Sequence, residues 1–373
     1  MMNYKECFDK LFEYVKKEDY KGYDLFDGLN SKLFKHTFLY KSRFFRLCLI
    51  QFCKRSPINF RKLLFVEKSF NPKGGALFLL GLLNIYQKTG ENIYKTEAEN
   101  IFARLKECAI KREKGIGFGY NFDWQARAFF VPMGTPNVVT SVYVGEAFLE
   151  YFRLFNDQNA YDMAKEIADF IVNEMIMKET ETELCFNYIP KKDAEVHNAN
   201  LLAARYLTNF DGFENLVKKS VKFSIKDIND DGSWAYGTKP FHRWVDNFHT
   251  AFNIESLAKI CPDNDIYKKV VDYFIENLFD ETGLPKYYNN KLYPIDIHVI
   301  AEDLIVIKSL LQNNQNPKIK LITEKLDLLL QEFQDKKGFF YYQKTKKHIC
   351  KIPYIRWNQA WVFYALSVVL QKE

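Results

Sequence analysis

No run of about 18 apolar residues occurs anywhere in the chain, so no membrane span is expected. Cysteine offers little: seven thiols (Cys7, Cys48, Cys53, Cys108, Cys185, Cys261, Cys350) are scattered, odd in number and free of any CxxC spacing. That pattern excludes a disulfide framework and reads as reduced thiols in a cytoplasmic protein. Histidine is scarcer still, at six residues, and neither HExxH nor a paired Cys and His spacing is present, so no metal site is expected. The stretch Asp227, Asn229, Asp231, Gly232 imitates the start of an EF-hand loop, but its twelfth position is Thr238, which leaves an ordinary turn. Glycine patterns such as GIGFGY lack the strand-to-helix setting of a phosphate-binding fingerprint, so no nucleotide cofactor is expected. Charge of one sign does not dominate either. The 53 Lys and Arg are interspersed with 47 Asp and Glu for a net +6 without a long basic block, which argues against nucleic acid and points weakly to an acidic ligand. The first twenty residues form a charged amphipathic pattern with no continuous apolar core, so no secretory signal is read there.

What the chain has is aromatic residues, 34 Phe, 23 Tyr and 5 Trp, and a recurring order of elements. A charged amphipathic helix (ENIFARLKECAIK), a glycine and aromatic hairpin (GIGFGYNFDW) and a more apolar helix (NVVTSVYVGEAFLEYF) come in sequence, and the order returns four more times. The apolar helices are predicted to begin near 74, 137, 197, 246, 296 and 355, about 50 to 60 residues apart. Outer helices of a ring need one wet face and inner helices almost none. The alternation therefore predicts an all-α fold: an α/α toroid of about six helical hairpins, with short aromatic β-hairpins on one rim. Residues 57–373 are assigned to the toroid, and residues 1–56 are expected to be a helical cap packed on it as one compact unit. An open α-solenoid is the structural competitor.

This pattern resembles the (α/α)6-barrel families of carbohydrate-active enzymes, among them uronate epimerases and lyases, unsaturated glucuronyl hydrolases and sugar 2-epimerases. The likeness spans roughly residues 57–371 and is architectural. DINDDGSWAYG is also similar to the QW-type repeat of the terpene cyclase and prenyltransferase superfamily, although the DxDD acid motif of the cyclases is absent. GYDLFDGLNS and WVDNFHTAF resemble stretches of uncharacterised proteins encoded with bacterial surface polysaccharide genes.

Four of the six histidines, His197, His242, His249 and His298, fall in a hairpin or at the start of a predicted inner helix, and the toroid would gather them at one mouth. Asp246 and Asp296 occupy matching helix starts, where an aspartate is either an N-cap or one of two carboxylates for glycoside hydrolysis. Glu302, Asp303 and Glu146 lie deeper along the inner helices. Proton abstraction from a uronate needs a base, a second proton donor and a cation or amide for the developing charge. His249, His298, Tyr143, Tyr236, Arg127, Arg243, Arg356 and Asn247 offer those parts, and Trp124, Trp234, Tyr287, Tyr341 and Trp357 offer faces on which a sugar can stack. Asp246, His249, His298, Asp296 and Tyr236 are thus the candidate catalytic residues. Asp246 is expected to orient an imidazole of a neighbouring repeat, His298 first. The expected function is epimerase- or lyase-type chemistry on an acidic or amide-bearing sugar in surface polysaccharide metabolism. The alternatives are a glycoside hydrolase using Asp246 and Asp296, a non-catalytic toroid that binds glycan or protein, and a terpene cyclase-like enzyme.

Overall fold

The computed structural model describes residues 3–125, 130–191, 194–310 and 314–372. Helix α1 (Tyr4–Lys17) is followed by a compact N-terminal module built on α2 (Lys32–Lys35) and α3 (Arg43–Arg55). Five helical pairs then alternate inner and outer positions: α4 (Pro72–Thr89) with α5 (Asn92–Glu107), α6 (Val138–Phe155) with α7 (Gln158–Glu174), α8 (His197–Leu207) with α9 (Glu214–Ile225), α10 (Asn247–Ile260) with α11 (Asp265–Asn277), and α12 (Ile297–Ile305) with α13 (Lys318–Phe333). The last inner helix, α14 (Trp361–Lys372), extends a π-helical turn at Ile355–Ala360. Inner helices touch in the order α4, α6, α8, α10, α12, α14 and back to α4, so the ring closes into an α/α toroid and the solenoid alternative falls.

The chain's own pattern explains the two layers. Helix α4 is buried almost without interruption from Pro72 to Ile85, as an inner helix must be, whereas α7 buries only the stripe Ala160, Ala164, Ile167, Ala168, Ile171 with Phe170. Four inner helices start with an Asn or Asp side chain that caps a free N–H: Asn71, Asn137, Asp246 and Asp296. At that same end lie small antiparallel hairpins, β1 (Ile110–Lys111) with β2 (Ile116–Gly117), β3 (Trp124–Gln125) with β4 (Phe130–Val131), and β5 (Ile176–Glu179) with β6 (Leu184–Phe186). A three-stranded sheet joins β7 (Ile295–Asp296), β8 (Gln343–Lys344) and β9 (Ile349–Cys350).

A repeated bond ties each hairpin to the ring. The first N–H of an inner helix donates to a tyrosine carbonyl from the next repeat: Val138 to Tyr188, His197 to Tyr236, Asn247 to Tyr287 and Ile297 to Tyr342. At Ile355 the partner is Tyr23, from the far end of the chain. Outer-layer packing closes the same way. The hairpin glycines Gly115, Gly232 and Gly283, all at positive φ, press on the backbones of α7, α11 and α13, and Gly338 presses likewise on Lys10 of α1. Helix α1 also packs on α14 through Phe8 and Phe12 against Phe363, at 4.5 and 6.4 Å. Helix α1 thus takes the outer place beside α14, and Tyr23 supplies the carbonyl that the earlier inner helices take from a hairpin tyrosine.

Candidate active site

The N-terminal end of α10 carries the densest chemistry. Asp246 caps the helix through the His249 N–H at 2.9 Å, and the same carboxylate receives the His249 imidazole, with Nδ1 2.7 Å from Oδ2. Trp244 Nε1 donates to that carboxylate at 2.9 Å. The Asp246 partner is thus the histidine one turn along its own helix, in place of the expected His298. Tyr236 lies 4.4 Å from the His249 ring and stacks on Trp244 at 4.8 Å; burial and then Asp246 push its hydroxyl well above the usual phenol range. His242 makes edge contacts with Tyr236 and Trp244, at 5.2 and 5.6 Å.

Phe248 bridges from this rim to the barrel interior, with ring distances of 4.1 Å to His249 and 5.2 Å to His298. His298 is buried against Trp357 and Trp361 at 4.4 and 4.8 Å, and its Nε2 faces Glu302 at 3.6 Å. Burial, followed by the nearby cations Lys73 and Arg356, drives the imidazole well below its ordinary pKa, so it is neutral. Asp296 caps α12 through the His298 N–H and accepts from Trp357 Nε1 at 3.0 Å; burial pushes its carboxyl up to about 7. Asn247 donates to Leu278 O and to Asp303, whose carboxyl burial pushes well up.

Lys73 of α4 is the interior group that the sequence reading missed. Its ammonium lies over Tyr143, Trp361 and Phe252 at 4.7, 4.8 and 5.6 Å, and burial with Arg356 lowers its pKa to about 7. Burial and the neighbouring Glu255 push Glu302 well above the carboxylate range. Both carboxyl oxygens of Glu302, both ring nitrogens of His298, the Tyr143 hydroxyl and Asn253 Oδ1 are buried without a hydrogen-bond partner. Buried polar atoms are rarely left so.

Other expected residues have different employment. His197 is sealed between Ser224, Asp227 (Nε2 to Oδ2, 2.9 Å) and Trp234, facing the outer helix α9. Trp234 is buried beneath it, and exposed Arg243 pairs with the same Asp227 at 2.6 Å. Tyr341 closes a turn by donating to Asp335. Arg356, expected to meet an anionic ligand, is held by Asp24 in two bonds of 2.7 Å and lies 5.0 Å from the Tyr120 ring. Trp124 and Trp357 face Phe26 of the N-terminal module at 6.4 and 5.8 Å. Arg127 lies outside the described residues.

At the opposite end of the barrel a pocket of about 350 Å³ is lined by Glu146, Arg205, Glu255 and Lys259 among others. The Arg205 fork is already spent there on Glu146, at 3.0 and 2.9 Å, so the group of histidines at the hairpin end is the better candidate for chemistry.

No family model matches the chain, and no curated protein matches it in sequence. Solved structures do resemble it in fold. Cellobiose 2-epimerase from Bacillus thermoamylovorans superimposes with a TM-score of 0.64 at 13% identity, covering 81% of this chain and 88% of the other. A GH76 α-mannanase from Bacteroides thetaiotaomicron gives 0.59 at 8% identity over 82% and 87%, and a D-mannose isomerase gives 0.59 at 15% over 81% and 88%. At such identities the likeness establishes the (α/α)6 toroid, an architecture shared by sugar epimerases, isomerases and glycoside hydrolases.

Proposed function

We propose that the protein is a carbohydrate-active enzyme that moves a proton on a sugar, as an epimerase or lyase does, at the hairpin mouth of the toroid. The observation that carries this reading is the pairing of His249 with Asp246 beside a second, neutral imidazole, His298. Asp246 on Nδ1 sets the His249 tautomer and leaves Nε2 for a substrate proton. His298, kept uncharged by burial, is suited to accept or return a proton, with Glu302 one turn behind it. Both imidazoles pack on the Phe248 ring, at 4.1 and 5.2 Å, so a sugar that meets the two as the bases of an inversion has to displace that ring. Lys73 supplies a cation for an acidic or amide-bearing sugar. The fold neighbours that act on sugars support the substrate class.

Asp296 favours a second reading, hydrolysis, because a carboxyl with a pKa of about 7 is protonated where a general acid must be. Its partner in that scheme, Asp246, is already engaged by His249 and Trp244, which places proton transfer ahead. The test is proton NMR in D2O with uronate oligosaccharides, N-acetylhexosamines and neutral disaccharides, together with absorbance for new unsaturation. Deuterium entering at a ring carbon next to a carbonyl or carboxylate supports the reading. Release of reducing ends without exchange transfers the site to hydrolysis, and no change in any sugar removes the proposal.

A further inference from the structure

The N-terminal module has a surface that the sugar chemistry does not use. Between Asp27 and Glu67 the sequence contains nine Lys and Arg and no Asp or Glu. No basic run reveals it; the acids are simply absent. Of the 53 basic residues, 44 then remain for the rest of the chain against all 47 acids, so the whole net positive charge of the protein resides in this stretch.

The same stretch concentrates exposed apolar side chains. Eight of the 14 large hydrophobic residues that are exposed among those described lie in it: Leu33, Phe38, Phe44, Phe45, Phe52, Ile58, Leu63 and Phe65. Phe38 is 82% and Phe44 67% exposed, values unusual for phenylalanine on a surface that stays in water. Helix α3 shows how the pattern arises. Ile50 and Cys53 turn inward, while Phe44, Cys48 and Phe52, spaced four apart, share the outward stripe with Arg55 at its end. Lys41, Arg55 and Lys62 are exposed around the apolar side chains, whereas Lys32 pairs with Glu67, Lys35 with Asp123 and buried Arg61 with Asp27. Helix α2, the turn at Phe38–Lys41 and α3 pack on one another, so these groups belong to one module. That module adjoins the hairpin rim, where α3 touches β3 and Phe26 reaches Trp124 and Trp357.

We propose that this basic and aromatic face docks the protein onto an anionic phospholipid surface, with the hairpin mouth of the toroid beside the lipid. Charge decides the partner: the exposed cations Lys41, Arg55 and Lys62, around phenylalanines that water does not favour, complement acidic headgroups over an acyl interior. The docking is independent of which reaction the site performs. It uses no spanning helix, and among the described residues none is long and apolar enough to cross a bilayer.

Sedimentation with phosphatidylcholine vesicles, with and without phosphatidylglycerol, tests it. The protein is expected to pellet with the phosphatidylglycerol vesicles alone, and less so as salt rises. A Lys41→Glu, Arg55→Glu, Lys62→Glu variant is expected to bind on the order of 10²-fold more weakly, from about 1 kcal/mol per surface cation. Phe38→Ser with Phe44→Ser should weaken binding as well, with an unchanged thermal melt showing that the fold is retained. The proposal is overturned by absence of binding to phosphatidylglycerol vesicles, by equal binding to phosphatidylcholine alone, or by variants that bind like the parent. A dimer in solution that these same substitutions dissociate would also overturn it, assigning the face to a second copy of the chain.

Discussion

Asp24→Ala should be among the most damaging single substitutions in the protein. Asp24 and Arg356 are separated by 332 residues, yet both are buried and joined by two charge-assisted bonds of 2.7 Å, Nε to Oδ2 and Nη2 to Oδ1. The pair fastens the N-terminal module to the last inner repeat, at the seam where Tyr23 accepts from Ile355. Removing the carboxylate leaves a guanidinium that cannot shed its charge in a site walled by Tyr120, Phe122 and Trp357. Breaking a buried pair in this one-sided way costs about 3–5 kcal/mol, whereas replacing both partners by apolar groups is often nearly neutral. Equilibrium urea unfolding of Asp24→Ala, Arg356→Met and the double variant gives the comparison. The double variant is expected to recover most of what Asp24→Ala loses. A loss below about 1 kcal/mol for Asp24→Ala, the range of an exposed pair, would refute the reasoning, as would losses that simply add.

Asp296→Asn keeps the cap and the acceptor for Trp357 while removing an acid with a raised pKa. In the parent, the unfolded chain releases this proton near its ordinary 3.8 and the folded protein holds it to about 7, so this group takes stability away as pH rises between those values. Relative to the parent, the variant should therefore gain stability from pH 4 to 7 and level off above, which unfolding at several pH values will show; a pH-independent difference would contradict it. His298 acts with the opposite sign: its depressed pKa means that the unfolded chain takes up the proton first, so its contribution is lost as pH falls through the ordinary histidine value. His197→Ala leaves Asp227 and Ser224 without their buried partner and should cost about 1–3 kcal/mol in an unfolding titration, with turnover unchanged.

The toroid was legible because its repeats are punctuated locally. Glycine turns and aromatic hairpins separate wet helices from dry ones, and five of the six inner helices begin within two residues of the predicted starts. At the sixth, near 355, a π-helical turn precedes α14. The part that α1 and Tyr23 play in closing the ring was not legible, since they meet repeats more than 300 residues away and no local pattern announces such a partner. The rim residues Asp246 and His249 could be found from their spacing on one helix face. His197 opens α8 at the place that Asn247 takes in α10, two positions ahead of that of His249, and there its side chain meets Asp227 and Ser224. Lys73 did leave a signal that went unused: it is a lone charge at the start of a helix that is otherwise apolar through Leu83. The sequence offered Arg356 as an anion-binding group, but nothing local pairs it with Asp24, 332 residues away.

Turnover and stability of His249→Ala and Asp246→Asn, measured on the sugar that exchanges its proton in D2O, test the central claim most directly. The account predicts folded proteins whose exchange rate falls about 10²-fold or more, the scale of a general acid or base, with Asp246→Asn also losing about 1 kcal/mol or less as a weakened cap. Full exchange rates in both variants, with only the melting temperature lowered, would contradict it and make the pair a helix start and nothing more.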